Sequence, residues 1–178
     1  MRHRWQFDRV IRMLSALMLA IGLAACAAET QPSSETPSFY VSLASANAQV
    51  DAKTAASMIS GFRRNNGLGP VTVDRELMRL AQEHARAMAG RNELGHNVGG
   101  SFSDRIRNSS VRARSVVENV AAGYHTLAEA FSGWRDSPGH RANMLDPEVT
   151  RLGIAAVYAP GSKYKVFWAL ILASPNER

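Results

Sequence analysis

The chain has 178 residues, a length that suits one domain with appendages. Hydrophobic residues make up 46% and charged residues 20%, with 13 Gly and 7 Pro, which excludes collagen-like, coiled-coil and wholly disordered proteins. The formal net charge of +6 would suit a nucleic-acid partner, but four of the arginines lie within the first 12 residues.

The amino terminus has the pattern of a bacterial export signal. Its four arginines precede an apolar run over residues 13–23, which is too short for a membrane span of about 20 residues. The run ends in Leu23-Ala24-Ala25-Cys26, which resembles the lipobox of bacterial lipoproteins. We predict a signal peptide over 1–25, lipidation of Cys26 and anchoring in the cell envelope, at the outer membrane or in the periplasm. A plain secretory signal in which Cys26 is only a small residue is the alternative.

Cleavage after residue 25 would also change the charge argument. The net charge of the remaining chain would be +3. Cys26 is the only cysteine in the sequence, so an internal disulfide is excluded. The basic residues that remain concentrate at Arg105, Arg107, Arg112 and Arg114, with no aromatic residues between them on which bases could stack. We therefore expect a solvated basic face and no nucleic-acid partner. Contact with anionic lipid or cell-wall polymer is the alternative for this run.

The first half of the mature chain is predicted to be a tether followed by helices. Residues 26–50 are rich in Ser, Thr, Ala and Pro and predict a flexible tether, and residues 51–175 then form the domain. Asp51 and Asp74 are good N-caps for two helices, the first stopped by the glycines and proline at 67–70 and the second running over 74–89. The second helix has an apolar stripe of Leu77, Leu80, Ala81, His84, Ala85 and Met88, and Gly90 is its predicted end.

The second half combines short helices with a hairpin. A glycine-rich loop over 92–101 precedes a short helix or turn over 102–108 and a strand over 115–120. Helices follow over 126–134 and 137–145, and the strands 152–158 and 164–173 form a β-hairpin. Helices followed by a terminal hairpin predict an α+β fold with a small antiparallel sheet.

Three polar residues stand out as candidates for a functional site. His96 and His140 lie in tight glycine-containing segments, and Glu118 lies in an apolar strand, where a buried carboxylate needs a partner. Two imidazoles and a carboxylate are a common ligand set for Zn²⁺, so a divalent cation is one candidate partner. His84 is instead expected to be a hydrogen-bonded core histidine, and His125 a surface or capping residue. A purely structural role for the polar cluster is the alternative.

The ordered motifs of residues 51–173 resemble those of the CAP superfamily (cysteine-rich secretory proteins, antigen 5 and pathogenesis-related 1 proteins) in its bacterial, SCP-like form. The matching segments are 81–85, Gly95-His96, 101–106, Glu118-Asn119-Val120-Ala121, 130–134, Ser137-Pro138-Gly139-His140 with 141–145, and 150–154. The resemblance implies a three-layer α-β-α sandwich with a shallow cavity of two histidines and two glutamates, which holds a divalent cation in several members.

Carried over by position, the resemblance assigns two cavity residues directly. His96 matches the first histidine and Glu118 the glutamate of the Glu-Asn motif, whereas Ser137 stands where the second glutamate is expected. The eukaryotic motif that supplies the second histidine lacks it here, at 147–151, so His140 is the best second imidazole. The expected cavity is therefore His96, Glu118, Ser137 and His140, with His96, Glu118 and His140 as candidate ligands of a zinc ion.

The resemblance implies two kinds of function. The first is a monomeric, lipid-anchored binding module of the envelope that recognises a lipid, a cell-wall component or another protein. The second is a protease-like hydrolase in which the histidines and Glu118 activate water, directly or through a cation. Because a Gly-x-Ser-x-Gly motif is absent, acyl transfer by Ser137 and His140 has little support, and no catalytic residue is assigned.

Overall fold

The computed structural model describes residues 36–176. After a short 3₁₀ turn over Ser38–Tyr40, the helices are α1 (Ala52–Arg64), α2 (Arg75–Arg91), α3 (Phe102–Arg107), α4 (Leu127–Asp136) and α5 (Pro138–Met144). The strands are β1 (Thr72–Val73), β2 (Val116–Ala122), β3 (Arg151–Ala159) and β4 (Lys165–Ala173). The predicted export signal and the lipidation site at Cys26 lie outside the described residues.

The strands form one sheet in the order β1-β3-β4-β2. The hairpin of β3 and β4 and the pair of β4 and β2 are antiparallel, as predicted. The short strand β1 pairs with β3 in parallel and is not predicted by the sequence, because two residues are too few to show a periodic pattern. The sheet is thus mixed, and the α+β class is confirmed.

Side chains of β4 alternate between two apolar cores and so define three layers. Val166, Trp168, Leu170 and Leu172 share one core with residues of α1, α4 and α5. Phe167, Ala169 and Ile171 share the other core with residues of α2. The sheet therefore lies between α2 on one face and α1, α4 and α5 on the other, which confirms the predicted α-β-α sandwich.

Helix α2 begins and packs as its sequence predicts. The Asp74 side chain accepts hydrogen bonds from the backbone of the first turn, and every residue of the predicted apolar stripe is buried. The helix continues past Gly90 to Arg91, because the left-handed conformation that ends it is adopted by Asn92, with φ of 51°. Gly153 lies directly against the main chain of Leu77, where a β-carbon would overlap it. This close approach holds α2 against the centre of the sheet.

A buried arginine fixes the segment that follows α5. The Arg63 side chain is almost fully buried and donates hydrogen bonds to the carbonyl oxygens of Met144, Asp146 and Val149 at 2.8–2.9 Å. Burial lowers the pKa of Arg63, against the opposing effect of the Asp146 carboxylate. Arg63 thereby ties the end of α1 to the chain that leads from α5 into β3.

The chain before α1 packs against the domain from residue 38 onward. Leu43 is buried, and its N–H donates to the carbonyl of His125 at 2.7 Å. The Ser38 hydroxyl donates to the Asp51 carboxylate at 3.0 Å. This part of the predicted 26–50 tether is therefore held by the core, because Leu43 is buried there and Phe39 and Val50 pack against it, whereas Tyr40 and Val41 are exposed. Across residues 36–176, no helix has the length and apolar character needed to cross a bilayer.

Candidate functional site

The site is built around Glu118, whose side chain is only 1% exposed. The alternation of β2 directs Glu118 towards the α2 layer and its neighbour Asn119 towards the α5 layer. Arg105 of α3 donates to both carboxylate oxygens, from Nη1 to Oε2 at 2.8 Å and from Nη2 to Oε1 at 3.0 Å. This two-point pairing satisfies a buried carboxylate that would otherwise be costly.

Arg105 corrects the expectation of a uniformly solvated basic run. Its side chain is 15% exposed, whereas Arg107 and Arg112 are exposed as expected. The signal that identifies it is helical spacing: Arg105 follows the partly buried Phe102 by three residues and so shares its face of α3. Because four arginines lie close together in the sequence, their charge alone does not show that Arg105 shares a helix face with Phe102.

His96 joins the site from the loop between α2 and α3. Its Nδ1 lies 3.0 Å from Glu118 Oε1, and its carbonyl oxygen accepts a hydrogen bond from Arg105 Nη2 at 2.7 Å. Because the carboxylate paired with Arg105 is an acceptor, Nδ1 is the donor in this bond. The His96 side chain is nevertheless 51% exposed, so the ring presents its other edge to solvent.

His84 of α2 forms the buried wall of the same site. Its Nε2 lies 3.0 Å from the carbonyl oxygen of Gly95 and 3.7 Å from Glu118 Oε1. Burial lowers the pKa of His84 and outweighs the opposite effect of the Glu118 charge. The expectation of a hydrogen-bonded core histidine is confirmed, but its approach to Glu118 is not visible in the sequence, because it depends on how α2 packs on β2.

His140 of α5 is held beside this cluster by its main chain. The Asn119 side chain donates to the His140 carbonyl at 3.0 Å, and Asn143 donates to the side-chain oxygen of Asn119 at 2.9 Å. Burial lowers the pKa of His140, with a smaller contribution from the charge of His96. Among residues 36–176, the histidines within 4 Å of the Glu118 carboxylate are His84 and His96.

Ser137, the remaining predicted cavity residue, links α4 to α5. Ser137 is the C-cap of α4 and the N-cap of α5. Its side chain makes no capping hydrogen bond. Its carbonyl oxygen accepts from the N–H of Arg141 at 2.8 Å. Ser137 thus serves in the structure as the extended residue at which the chain leaves α4 and enters α5.

The residues present do not fit the cation that the resemblance implies. Arg105 occupies both oxygens of Glu118, and a guanidinium and a metal ion would compete for the same lone pairs. Within the described part of the chain, no three His, Cys, Asp or Glu side chains are grouped so that they could hold a metal ion. Zinc binding by His96, Glu118 and His140 stays a prediction that this geometry does not support.

Comparison with known proteins gives a family and a fold. The family model described as "CAP: Cysteine-rich secretory protein family" matches residues 56–172. "Uncharacterized protein YkwD" of Bacillus subtilis is 29% identical over 107 residues, which is 59% of this chain and 42% of that protein. This chain therefore spans less than half the length of that curated relative.

Two solved bacterial structures share the fold at low sequence identity. An outer surface protein of Borrelia burgdorferi has a TM-score of 0.62 and 18% identity, with 72% of this chain and 98% of that chain covered. An extracellular protein containing an SCP domain from Bacillus anthracis has a TM-score of 0.60 and 24% identity, with 69% and 40% covered. At these identities the likeness concerns the fold alone.

Proposed function

This chain belongs to the cysteine-rich secretory protein (CAP) family, whose members include extracellular proteins, and we propose that it is an exported, lipid-anchored binding module of the cell envelope. The amino-terminal pattern supports export and attachment through Cys26. The cluster of His96, Glu118 and Arg105 is the proposed recognition site, and it operates without a metal ion.

The pairing of Arg105 with Glu118 is the observation that favours binding over hydrolysis. A general base must offer a free lone pair to the proton it removes, and a metal-assisted hydrolase needs its carboxylate for the metal. Both Glu118 oxygens instead accept hydrogen bonds from Arg105, and the Glu118 side chain is almost fully buried. The hydrolase alternative therefore lacks its principal group, whereas a rigid polar surface suits recognition.

The exposed edge of His96 suggests the chemistry of the ligand. Since Nδ1 donates to Glu118, Nε2 is left for a ligand and is a hydrogen-bond acceptor whenever the ring carries a single proton, and half of the side chain is open to solvent. An acceptor of this kind pairs with hydroxyl groups, which are abundant on cell-wall glycans. We therefore favour a cell-wall polymer over an apolar ligand or a protein partner.

Co-sedimentation with purified peptidoglycan sacculi tests this proposal. We expect the full-length protein, purified in detergent, to sediment with the sacculi and His96→Ala to weaken binding about tenfold, the effect of losing about 1.4 kcal/mol. His125→Ala is the matched control, because His125 is exposed and lies outside the site. Equal binding by wild type and His96→Ala would contradict the proposal.

The same samples test the hydrolase alternative. Soluble sugar or peptide released from the sacculi is measured over time for wild type and Glu118→Gln. Release that requires Glu118 would establish hydrolysis and overturn the assignment as a binding module. We expect no release with either protein.

A further inference from the structure

An apolar depression lies beside the proposed recognition site, between α3 and the start of β2. Phe102, Ile106 and Val116 line it, and all three are half-buried against the core on the α2 side of the sheet. Phe102 and Ile106 are four residues apart and share one face of α3. Val116 precedes Glu118 by two residues and points to the same side of β2. The helix and the strand that carry Arg105 and Glu118 therefore also carry this apolar surface.

Arg105 joins the depression to the recognition site. Its guanidinium carbon lies 5.3 Å from the centre of the Phe102 ring, and its Nη2 donates to the His96 carbonyl at 2.7 Å. The N–H of Phe102 also donates to the side-chain oxygen of Asn97, the residue after His96, at 3.3 Å. One guanidinium group thus separates the apolar surface from the main chain of His96, so a ligand that hydrogen-bonds to this histidine is within reach of the depression.

The depression combines half-buried apolar side chains with exposed hydrogen-bond donors. Its volume of about 310 Å³ is at the lower end of the range of about 300–1,000 Å³ for ligand sites, so it suits one small substituent and not a long acyl chain. Ser103 and Arg107 line it as well, are exposed, and carry donors. An acetamido group has the complementary chemistry, because its methyl group can cover the apolar side chains while its carbonyl oxygen accepts from a donor.

We propose that the depression holds the N-acetyl group of an amino sugar in the glycan strand of the cell wall, while His96 accepts a hydrogen bond from a hydroxyl group of the same strand. This inference rests on the proposed function and names the N-acetylated glycan as the part of the wall polymer that is bound. Hydroxyl and acetamido groups lie side by side on each N-acetylated sugar, which matches the closeness of His96 to the depression.

The charges beside the depression favour a neutral sugar over the peptides of the wall, which carry carboxylates. Arg105 is paired with both oxygens of Glu118. Arg107 is paired with Asp104 at 2.9 Å. Each of these cations has its own carboxylate, so a carboxylate of the ligand would have to displace one from the protein, whereas a hydroxyl or acetamido group would not.

The test compares the linear tetramer of N-acetylglucosamine with that of glucose, which has the same linkage and a hydroxyl group in place of each acetamido group. Each sugar is titrated into ¹⁵N-labelled full-length protein in detergent. We expect the N-acetylated tetramer to shift the amide signals of His96, Ile106 and Val116. It should bind about tenfold more tightly than the glucose tetramer, because one methyl group is buried and one hydrogen bond is added.

Two variants locate the acetamido group. Val116→Thr keeps the shape of the side chain but places a hydroxyl group among the apolar residues, and Ile106→Ala removes part of the apolar surface. We expect each to lower the ratio of the two affinities about threefold and to leave the affinity for the glucose tetramer unchanged. Val117→Thr is the matched control, because Val117 is the next residue of β2 and packs against the other core. Partial unfolding would weaken both sugars equally and leave the ratio unchanged.

The outcomes separate this inference from the proposed function. Equal affinity for the two tetramers, in a protein that binds sacculi through His96, would overturn the inference and leave the binding module standing. Loss of the His96-dependent sedimentation itself would overturn both. Shifts at Ile106 and Val116 caused by an alanyl-glutamate stem peptide, and not by the N-acetylated tetramer, would identify a peptide as the occupant and contradict the inference.

Discussion

A carboxylate buried as deeply as that of Glu118 carries a desolvation cost, which an opposite charge and hydrogen bonds must offset. The sequence shows this need, because Glu118 interrupts an apolar strand, and the partnership with His96 could be predicted from it. The main partner, Arg105, could not be identified from charge alone, since four arginines lie close together and only the packing of α3 buries one of them. The positions of His84 and His140 relative to Glu118 depend on helix packing, which spacing along the chain does not specify.

The buried His84 should make the stability of the domain depend on pH. Its pKa is lowered in the folded state, whereas in the unfolded chain it is about 6.5. Below that pH the unfolded chain takes up a proton that the folded protein resists, so the free energy of unfolding falls as the pH falls. The contribution of His84 to the free energy of unfolding is complete above about pH 6.5. It is lost at lower pH, by at most about 1.4 kcal/mol per pH unit.

Urea unfolding at about pH 7.5 and about pH 5.5 measures this effect in wild type and in His84→Gln. The variant retains a donor for the Gly95 carbonyl but has no titrating ring. We expect wild type to lose about 1 kcal/mol more than the variant over this interval. Because His140 titrates in both proteins, it cancels in the comparison, and equal losses would disprove the role of His84.

The helices and strands follow closely from periodicity, and the departures have local causes. The stripe of α2 and the hairpin of β3 and β4 could be predicted because long segments show clear periods. The strand β1 could not, since it is only two residues long and exists through its pairing with β3. The segment around Leu43 has the composition of a tether, yet this residue reaches the core.

The contact between α2 and β3 gives a prediction at the level of elements. In Gly153→Ala the added methyl group would overlap the main chain of Leu77, so α2 must move away from the sheet. We expect the free energy of unfolding to fall by about 1–3 kcal/mol, the usual cost of overpacking. Gly161→Ala is the control, since open space surrounds that position and its change should stay within about 0.5 kcal/mol. Equal stabilities of the two variants in chemical denaturation would contradict the proposed packing constraint.

On the scale of the whole molecule, the proposed recognition site lies at one edge of the sheet. The His96 cluster adjoins β2, which is the last strand in the sheet order. A membrane-anchored domain with this arrangement presents that edge to a cell-wall polymer.

Anchoring of the molecule is tested at Cys26. We expect the full-length protein to incorporate radiolabelled palmitate and to fractionate with membranes, because acyl chains contribute about 0.8 kcal/mol per buried methylene. Cys26→Ala should lose the label and leave the membrane fraction, whereas Ala27→Ser should behave as wild type. Cys26→Ala that remains with the membranes would contradict lipid anchoring through this residue.

Calorimetric titration of Zn²⁺ into the full-length protein tests most directly whether Arg105 serves as the cation partner of Glu118. We expect no stoichiometric binding that depends on Glu118 in wild type, because Arg105 occupies both carboxylate oxygens. Arg105→Gln removes this partner, and any zinc affinity that the variant gains should be lost again in the double variant with Glu118→Gln. A wild-type zinc site that Glu118→Gln abolishes would contradict the metal-independent binding module.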